Sequence, residues 1–104
     1  MREIVLDTET TGISWRDGHR IVEIGALELM HHLPTGKRLH LYINPERDID
    51  DGAVGIHGLT NEFLTDMPLF AEIVDEFFSF IGDAPLVIHN ATFDMGFINA
   101  ELDK

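Results

Sequence analysis

The stretch I-V-L-D-T-E-T-T-G at residues 4–12 opens with three apolar residues and becomes polar at Asp7. Because the apolar run does not alternate with polar residues, we predict a short strand that is buried on both faces and ends at Asp7, followed by a turn at TETTG. Side chains two positions apart point to the same side of a strand, so Asp7 and Glu9 should lie together, with Cα atoms about 6.5–7 Å apart. Two unpaired carboxylates at this separation repel each other and raise each other's pKa, and a cation between them would relieve the repulsion.

Two longer strands are predicted next. Residues 21–30 (I-V-E-I-G-A-L-E-L-M) alternate in the manner of a strand, Pro34 and Gly36 predict a turn, and residues 37–43 return as the antiparallel partner. Residues 46–67 show little periodicity. We expect a long loop there with one or two helical turns, such as residues 62–65.

The second half of the chain changes period. Residues 69–81 repeat their apolar positions at helical spacing, with Pro68 near the start and Gly82 just beyond the end. Residues 85–88 predict a short apolar strand, and a last helix capped by Asn90 or Thr92 should bury Phe93, Phe97, Ile98 and Leu102. The order β-β-β-α-β-α indicates an α/β fold: a mixed sheet of three antiparallel strands, with the fourth parallel to the first, covered by helices.

Composition narrows the function classes. The chain has 104 residues, a net charge of −12 and no cysteine, so disulfides and thiolate metal sites are excluded. Carboxylate and imidazole are the metal ligands that remain, and they suit Mg²⁺ or Mn²⁺. An acidic chain does not favour broad binding to a DNA duplex. With no apolar run long enough to span a membrane and no signal peptide, we expect a soluble, cytoplasmic protein.

Asp94 is the third acidic residue of interest, because it falls in the first turn of the helix after strand four, which should run beside strand one. Three carboxylates at neighbouring strand ends are typical of a two-metal site, with ions about 3.5–4 Å apart. Simpler explanations exist: an Asp at a strand end is often a turn residue, and the helix dipole favours Asp94 without a ligand. A phosphate-accepting signalling domain also carries such acids, although neither Lys37 nor Lys104 is well placed for it.

Three segments resemble a known family. V-L-D-T-E-T-T-G at residues 5–12 is similar to the first motif of the DEDD 3′→5′ exonucleases, and V-I-H-N-A-T-F-D at residues 87–94 is similar to their second. Between them, G-I-H-G-L-T-N-E-F-L at residues 55–64 resembles the proofreading (epsilon) subunits of bacterial DNA polymerase III. The resemblance covers essentially the whole chain. It implies one domain, residues 1–104, forming the N-terminal part of an exonuclease domain with a ribonuclease-H-like fold.

The resemblance also implies an activity, namely removal of mismatched nucleotides from DNA 3′ ends by two-metal-ion hydrolysis. Asp7 would bind both Mg²⁺ or Mn²⁺ ions, Glu9 one of them, and Asp94 the second, directly or through water. The residues that would surround the terminal nucleotide are Thr8, Thr11, Gly12, His57, His89, Asn90 and Phe93. The implied partners are a single-stranded DNA 3′ end, the polymerase subunit of the replicase and a sliding clamp, the clamp being reached through a region beyond residue 104.

The family's third motif, which supplies a general-base His and a fourth metal-binding Asp, lies downstream of the second and is absent here. We therefore expect a truncated domain without the final strand and helix, nearly inactive alone, with Phe93, Phe97 or Ile98 exposed. Two other functions stay open. One is an RNA-trimming exonuclease of the same superfamily, and the other is a non-catalytic interaction module, for which a missing base would be natural.

Overall fold

The first strand is longer than its apolar run. In a computed structural model, which describes residues 1–103, β1 spans Arg2–Thr10, so Asp7 and Glu9 lie within the strand and not in a turn after it. Its pairing with β2 (Ile21–Met30) explains this length, because the antiparallel register runs from Arg2 opposite Met30 to Thr10 opposite Ile21. The predicted end at Asp7 is therefore wrong.

The sheet has the predicted topology. Its order is β3-β2-β1-β4, with β3 at Leu33–Tyr42 antiparallel to β2 and with β4 at Leu86–Val87 parallel to β1. Strand four is thus shorter than the predicted residues 85–88. The parallel pair brings the segment that leads from β4 into the last helix to the same sheet edge as the C-terminal end of β1.

The hairpin between β2 and β3 turns earlier than predicted. His31 and His32 form the turn with positive φ angles of 52° and 66°, whereas Pro34 and Gly36 lie inside β3 beside an irregular register. A two-residue turn with both φ positive matches the twist of the flanking strands, although it usually carries Asn or Gly. The absence of those residues explains why the sequence predicted the turn at Pro34 and Gly36.

Three helices follow β3 before β4. Two of them, α1 at Asp51–His57 and α2 at Asn61–Leu64, occupy the segment predicted as a long loop with helical turns. The third, α3 at Phe70–Ile81, is the predicted amphipathic helix, and Gly82 ends it with a φ of +57°. Its buried residues are Phe70, Ile73, Phe77 and Ile81.

The last helix, α4, spans Ala91–Leu102 and starts after Asn90, as one of the two predicted caps implies. Phe97 and Ile98 are only 1% and 4% exposed, since they join the core formed by β1, β2 and α3. The expectation that they would be exposed is therefore wrong. Leu102, which we expected to face inward, is 42% exposed. In residues 1–103 no helix is long and apolar enough to cross a membrane.

The loop between β1 and β2 is fixed to α4 through Trp15. A Cβ atom at Gly96 would lie 2.5 Å from Nε1 of this indole, so the ring is seated where only glycine leaves room. We expect Gly96→Ala to displace Trp15 and to lower the free energy of unfolding by about 1–2 kcal/mol, since overpacking outweighs the gain in helix propensity. Because Trp15 is the only tryptophan of the chain, a red shift of its fluorescence measures the displacement.

Gly55→Ala is the matched control, because nothing lies within 4 Å of the added methyl group in α1. We expect this control to leave the fluorescence unchanged and the stability equal or slightly higher. Gly96→Ala with unshifted emission would contradict the packing that we describe.

Candidate functional site

Asp7 and Glu9 lie near the C-terminal end of β1, on the side that faces away from Ile4 and Leu6. Gly25 stands opposite Asp7 in β2 and leaves open space beside its carboxylate. Glu23 stands opposite Glu9, and the register shifts between Glu9 and Thr10. Bulges of this kind are common beside active sites, because they redirect side chains where a strand pairing ends. The strand end therefore gathers several carboxylates, of which Glu23 is paired with His40.

Asp94 comes to the same place from the first turn of α4. The residue is 4% exposed, and its Oδ2 atom has no hydrogen-bond partner among residues 1–103. The Oγ1 atom of Thr8, which is also buried, is likewise unpartnered in the described part of the chain. A buried carboxylate oxygen without a donor is costly, so this arrangement calls for a further group or a proton.

The pKa shifts show that the three acids interact. Burial raises the pKa of Glu9 above its usual 4.5, and the charge of Asp7 raises it further. Burial also raises the pKa of Asp94 above 3.8; hydrogen bonding from the Thr8 backbone partly offsets this, and the charge of Asp7 adds to it. The predicted increase through mutual repulsion is thus confirmed for Glu9. Such shifts are frequent at functional sites.

The three carboxylates do not form a closed metal cage. Within residues 1–103, no group of three or more His, Asp or Glu side chains is arranged to hold one ion. The donors are nonetheless oxygen atoms of the kind that Mg²⁺ and Mn²⁺ prefer. The metal-ligand roles of Asp7, Glu9 and Asp94 therefore stay a prediction.

A cavity of about 440 Å³ opens beside Glu9. The end of β1 and the following residues form one wall, α1 and the residue before it form the second, and Phe93 of α4 contributes to the third. Two isoleucines at its mouth, Ile13 and Ile56, are 86% and 84% exposed. Its lining combines apolar edges and an aromatic ring with two carboxylates, Glu9 and Asp50, and a mostly apolar lining with a few polar groups is typical of ligand-binding pockets.

His57 lies in this cavity wall with both ring nitrogens engaged. Its Nε2 atom donates to the carbonyl oxygen of Thr10 at 3.0 Å, and the amide of Leu59 donates to Nδ1 at 3.0 Å. These bonds fix a neutral ring with its proton on Nε2. Contact between His57 and a nucleotide, as the resemblance implies, would use the face of the ring unless one of these bonds breaks.

The other predicted substrate residues divide into three groups. Gly12 and Phe93 line the cavity, and Phe93 also packs on Phe97 with ring centroids 4.9 Å apart, so it serves both cavity and core. His89 and Asn90 are exposed beside the start of α4, whereas the side chains of Thr8 and Thr11 are buried. The structure thus brings Gly12, His57 and Phe93 together around one space.

The sequence did not predict that Thr10, Ile13, Asp50 and Ile56 line the cavity, nor that His19 contacts Thr11 and Asp50. Asp50 lies directly before α1, and a carboxylate before a helix resembled an ordinary cap. A His in the loop after β1, eight residues from Thr11, gave a weak signal that sequence spacing did not resolve.

Known proteins resemble this chain over nearly its whole length. The exonuclease family model, RNase_T, matches residues 4–104. The DNA polymerase III subunit epsilon of Rickettsia felis is 58% identical over 102 residues, which are 98% of this chain and 44% of that protein. The subunit of Escherichia coli K12 is 51% identical over 104 residues, 96% of this chain and 43% of that protein. The chain thus spans less than half the length of these relatives.

Solved structures show the same architecture. Exonuclease X in complex with 5′ overhanging duplex DNA superposes with a TM-score of 0.78 at 26% identity, over 91% of this chain and 52% of that one. Apo exonuclease I superposes with a TM-score of 0.79 at 20% identity, over 95% of this chain and 24% of that one, a likeness of fold alone. The sheet order confirms the predicted ribonuclease-H-like fold. With the match to the family over residues 4–104, this chain belongs to the exonuclease family.

Proposed function

We propose that the chain carries the metal-binding and nucleotide-binding half of a 3′→5′ DNA exonuclease of the proofreading type. The observation that carries this proposal is the unpartnered Oδ2 atom of Asp94, buried where the charges of Asp7 and Glu9 also converge. Family membership and the likeness to epsilon subunits support the reaction class. Proofreading in replication would place the protein in the cytoplasm.

Two observations indicate that these residues suit divalent cations. The donors are carboxylate oxygens only, and one of them is buried with no other partner. Mg²⁺ usually binds through one or two carboxylates and keeps several waters, so a closed cage of three side chains is not required. Asp7 and Glu9 would hold one cation, and Asp7 and Asp94 the other. Bound there, two cations would activate water and stabilise the leaving 3′ oxygen of a phosphodiester.

The cavity would take the terminal nucleotide. Phe93 offers a ring for base stacking, which contributes about 1–3 kcal/mol per base in single-strand binding. The neutral His57 ring presents a face to the same space while it holds the Thr10 carbonyl. Glu9 at the edge of the cavity would place the scissile phosphate beside the cation site.

The charge of −12 fits a substrate that is delivered by a partner. Cations would offset the acids where the phosphate binds, and only a few nucleotides need to enter the cavity. Weak affinity for duplex DNA suits a subunit whose polymerase partner holds the duplex. We propose the polymerase subunit of the replicase as that partner and a sliding clamp as a second one.

A trimming assay tests the proposal. A 5′-labelled single-stranded DNA, an RNA of the same sequence, and the DNA with a 3′-phosphate are incubated with the chain and Mn²⁺. Residues 1–104 contain no third motif, and a general base typically contributes about 10²–10⁴-fold, so the protein is used in excess over substrate. We expect the DNA to shorten one nucleotide at a time from its 3′ end with release of nucleoside 5′-monophosphates, and EDTA to stop it.

The three substrates separate the alternatives. RNA trimmed faster than DNA would favour the RNA-trimming exonucleases. If no substrate is trimmed and the chain also fails to bind a nucleoside 5′-monophosphate in the presence of Mn²⁺, a non-catalytic module is favoured. Internal cuts would contradict an exonuclease. The blocked DNA controls for direction, because a 3′→5′ enzyme should be slowed by the 3′-phosphate.

A further inference from the structure

The turn that ends β1 is held by a chain of hydrogen bonds centred on His19. The Thr11 hydroxyl lies 2.8 Å from Nδ1 of His19, and the amide of Arg20 donates to the same hydroxyl at 3.0 Å. On the other side of the ring, Nε2 of His19 lies 3.3 Å from Oδ2 of Asp50. In a neutral ring with its proton on Nε2, the hydroxyl donates to Nδ1 and Nε2 donates to the carboxylate.

His19 also packs directly on Gly12. A Cβ atom at Gly12 would lie 2.4 Å from Cε1 of the ring, so the imidazole is seated against the glycine backbone. Its side chain is 12% exposed, and Thr11 is fully buried. The Asp50 amide donates to the Thr11 carbonyl at 2.9 Å, which adds a second bond between the same two segments.

These contacts join two opposite walls of the cavity. Gly12 lines one wall and Asp50 the other, whereas His19 lies behind them. The second wall, α1, has no buried residue of its own and contains Gly52 and Gly55. Ala53 and Val54 of α1 are only partly buried where they pack on the cluster of Val22, Ile49 and Leu64. Bonds at the two ends of α1 therefore contribute to its position: Asp50 with His19 and Thr11 at the start, and His57 with Thr10 at the end.

We propose that His19 is a positioning residue that sets the distance between the Gly12 turn and α1, and so the fit of the terminal nucleotide. This inference rests on the proposed function, because it assigns the nucleotide to this cavity. His19 acts through Gly12 and Asp50 and does not itself contact the nucleotide.

Three substitutions separate the contributions of the two ring nitrogens of His19. His19→Asn can replace the contact of Nδ1 with Thr11, His19→Gln can replace the contact of Nε2 with Asp50, and His19→Ala removes both. The matched control is His32→Asn: His32 is an exposed histidine paired with Glu3 at the opposite end of β1, and its left-handed backbone tolerates Asn. The probe is thymidine 5′-monophosphate with Mg²⁺, titrated by NMR.

We expect His19→Ala to weaken the binding of thymidine 5′-monophosphate at least tenfold. The affinities of His19→Asn and His19→Gln should lie between those of His19→Ala and the wild type, and His32→Asn should bind like the wild type. Affinity for Mn²⁺ alone should change less than twofold in all four variants, a split that general loss of structure would not give. Amide shifts should change at residues 10–12 and 50–57, and adding Asp50→Asn to His19→Ala should cause little further loss.

The outcomes are separable. If the wild type binds the mononucleotide and folded His19→Ala binds it equally well, the positioning role is wrong and the proposed function stands. If His19→Ala fails to fold, the Asn and Gln variants carry the test by the same criterion. If the wild type shows no binding at all, the proposed function fails, and this inference fails with it.

Discussion

Arg20→Ala is expected to lower the free energy of unfolding by about 3–5 kcal/mol, the cost of leaving a buried charge without its partner. Arg20 donates to both carboxylate oxygens of Glu101, at 3.0 and 2.5 Å. The Glu101 side chain is 3% exposed, and the pair joins the loop before β2 to the end of α4. Removal of the guanidinium strands the carboxylate inside the protein.

Substitution of the other partner, Glu101, should lower the free energy of unfolding by less. Arg20 is 19% exposed and keeps a second acceptor, Glu46, at 3.3 Å, so Glu101→Gln leaves a cation that still has a partner and some water. We expect a loss of about 1–3 kcal/mol. The double variant Arg20→Met/Glu101→Leu should recover most of the loss, because apolar replacements of buried pairs are often close to neutral.

Urea unfolding followed by circular dichroism measures these differences as shifts of the midpoint at constant slope. Arg38→Ala, an exposed arginine of β3, is the control and should stay within about 0.5 kcal/mol. If Arg20→Ala proves unfolded, the free energies of unfolding of Glu101→Gln and of the double variant still test whether loss of the arginine costs more than loss of the glutamate charge. Equal costs for Arg20→Ala and Glu101→Gln would contradict it.

The sequence predicted the parts of the fold that depend on local pattern. The amphipathic period over residues 69–81 predicted α3, and the apolar runs predicted strands that pair in the expected order. The extent of β1 was missed because pairing with β2, and not the composition of TETTG, determines where that strand ends. The early turn at His31 and His32 was missed because neither residue is typical of such a turn.

The candidate site divides in the same way. The carboxylates and Phe93 could be placed because they stand at fixed positions relative to strand ends and helix starts. His19 and Asp50 could not, since they meet across 31 positions and neither has a distinctive neighbourhood. Arg20 and Glu101 are 81 residues apart, and nothing in the local pattern of either predicts a buried pair. Contacts between distant polar residues are therefore the part that required a structure.

Asp94→Asn is expected to act with opposite signs on the metal-free and the metal-bound chain. Without metal, it removes a buried charge that has an unpartnered oxygen and is repelled by Asp7. We expect the midpoint of thermal unfolding at pH 7 to rise by about 4–8 °C, which corresponds to about 1 kcal/mol in a domain of this size. With metal, Mn²⁺ affinity should fall at least about tenfold and Mn²⁺-dependent trimming at least about 10²-fold.

The pH dependence follows from the direction of the pKa shift. The pKa of Asp94 is raised in the folded chain above its ordinary 3.8, so the folded state holds this proton more tightly than the unfolded state does. The associated stability is fully present below pH 3.8 and is lost as the pH rises through the folded value. Asn has no such proton, so the stability gained by Asp94→Asn should be smallest near pH 3 and should grow to a plateau at higher pH.

Comparison with the wild type isolates this effect, because shifts that both proteins share cancel in the difference. One shared shift is that of Glu28, whose hydrogen bonds with Arg2 and Thr35 lower its pKa. Its contribution to stability therefore falls as the pH decreases, which is opposite to that of Asp94. Asp75→Asn, on the exposed face of α3, is the control and should change neither stability nor Mn²⁺ affinity. Since Mn²⁺ binds only the folded wild type tightly, its addition should reverse the order of the two melting temperatures at pH 7. A variant that melts lower without metal and still binds Mn²⁺ as the wild type does would assign Asp94 to the fold and not to a cation.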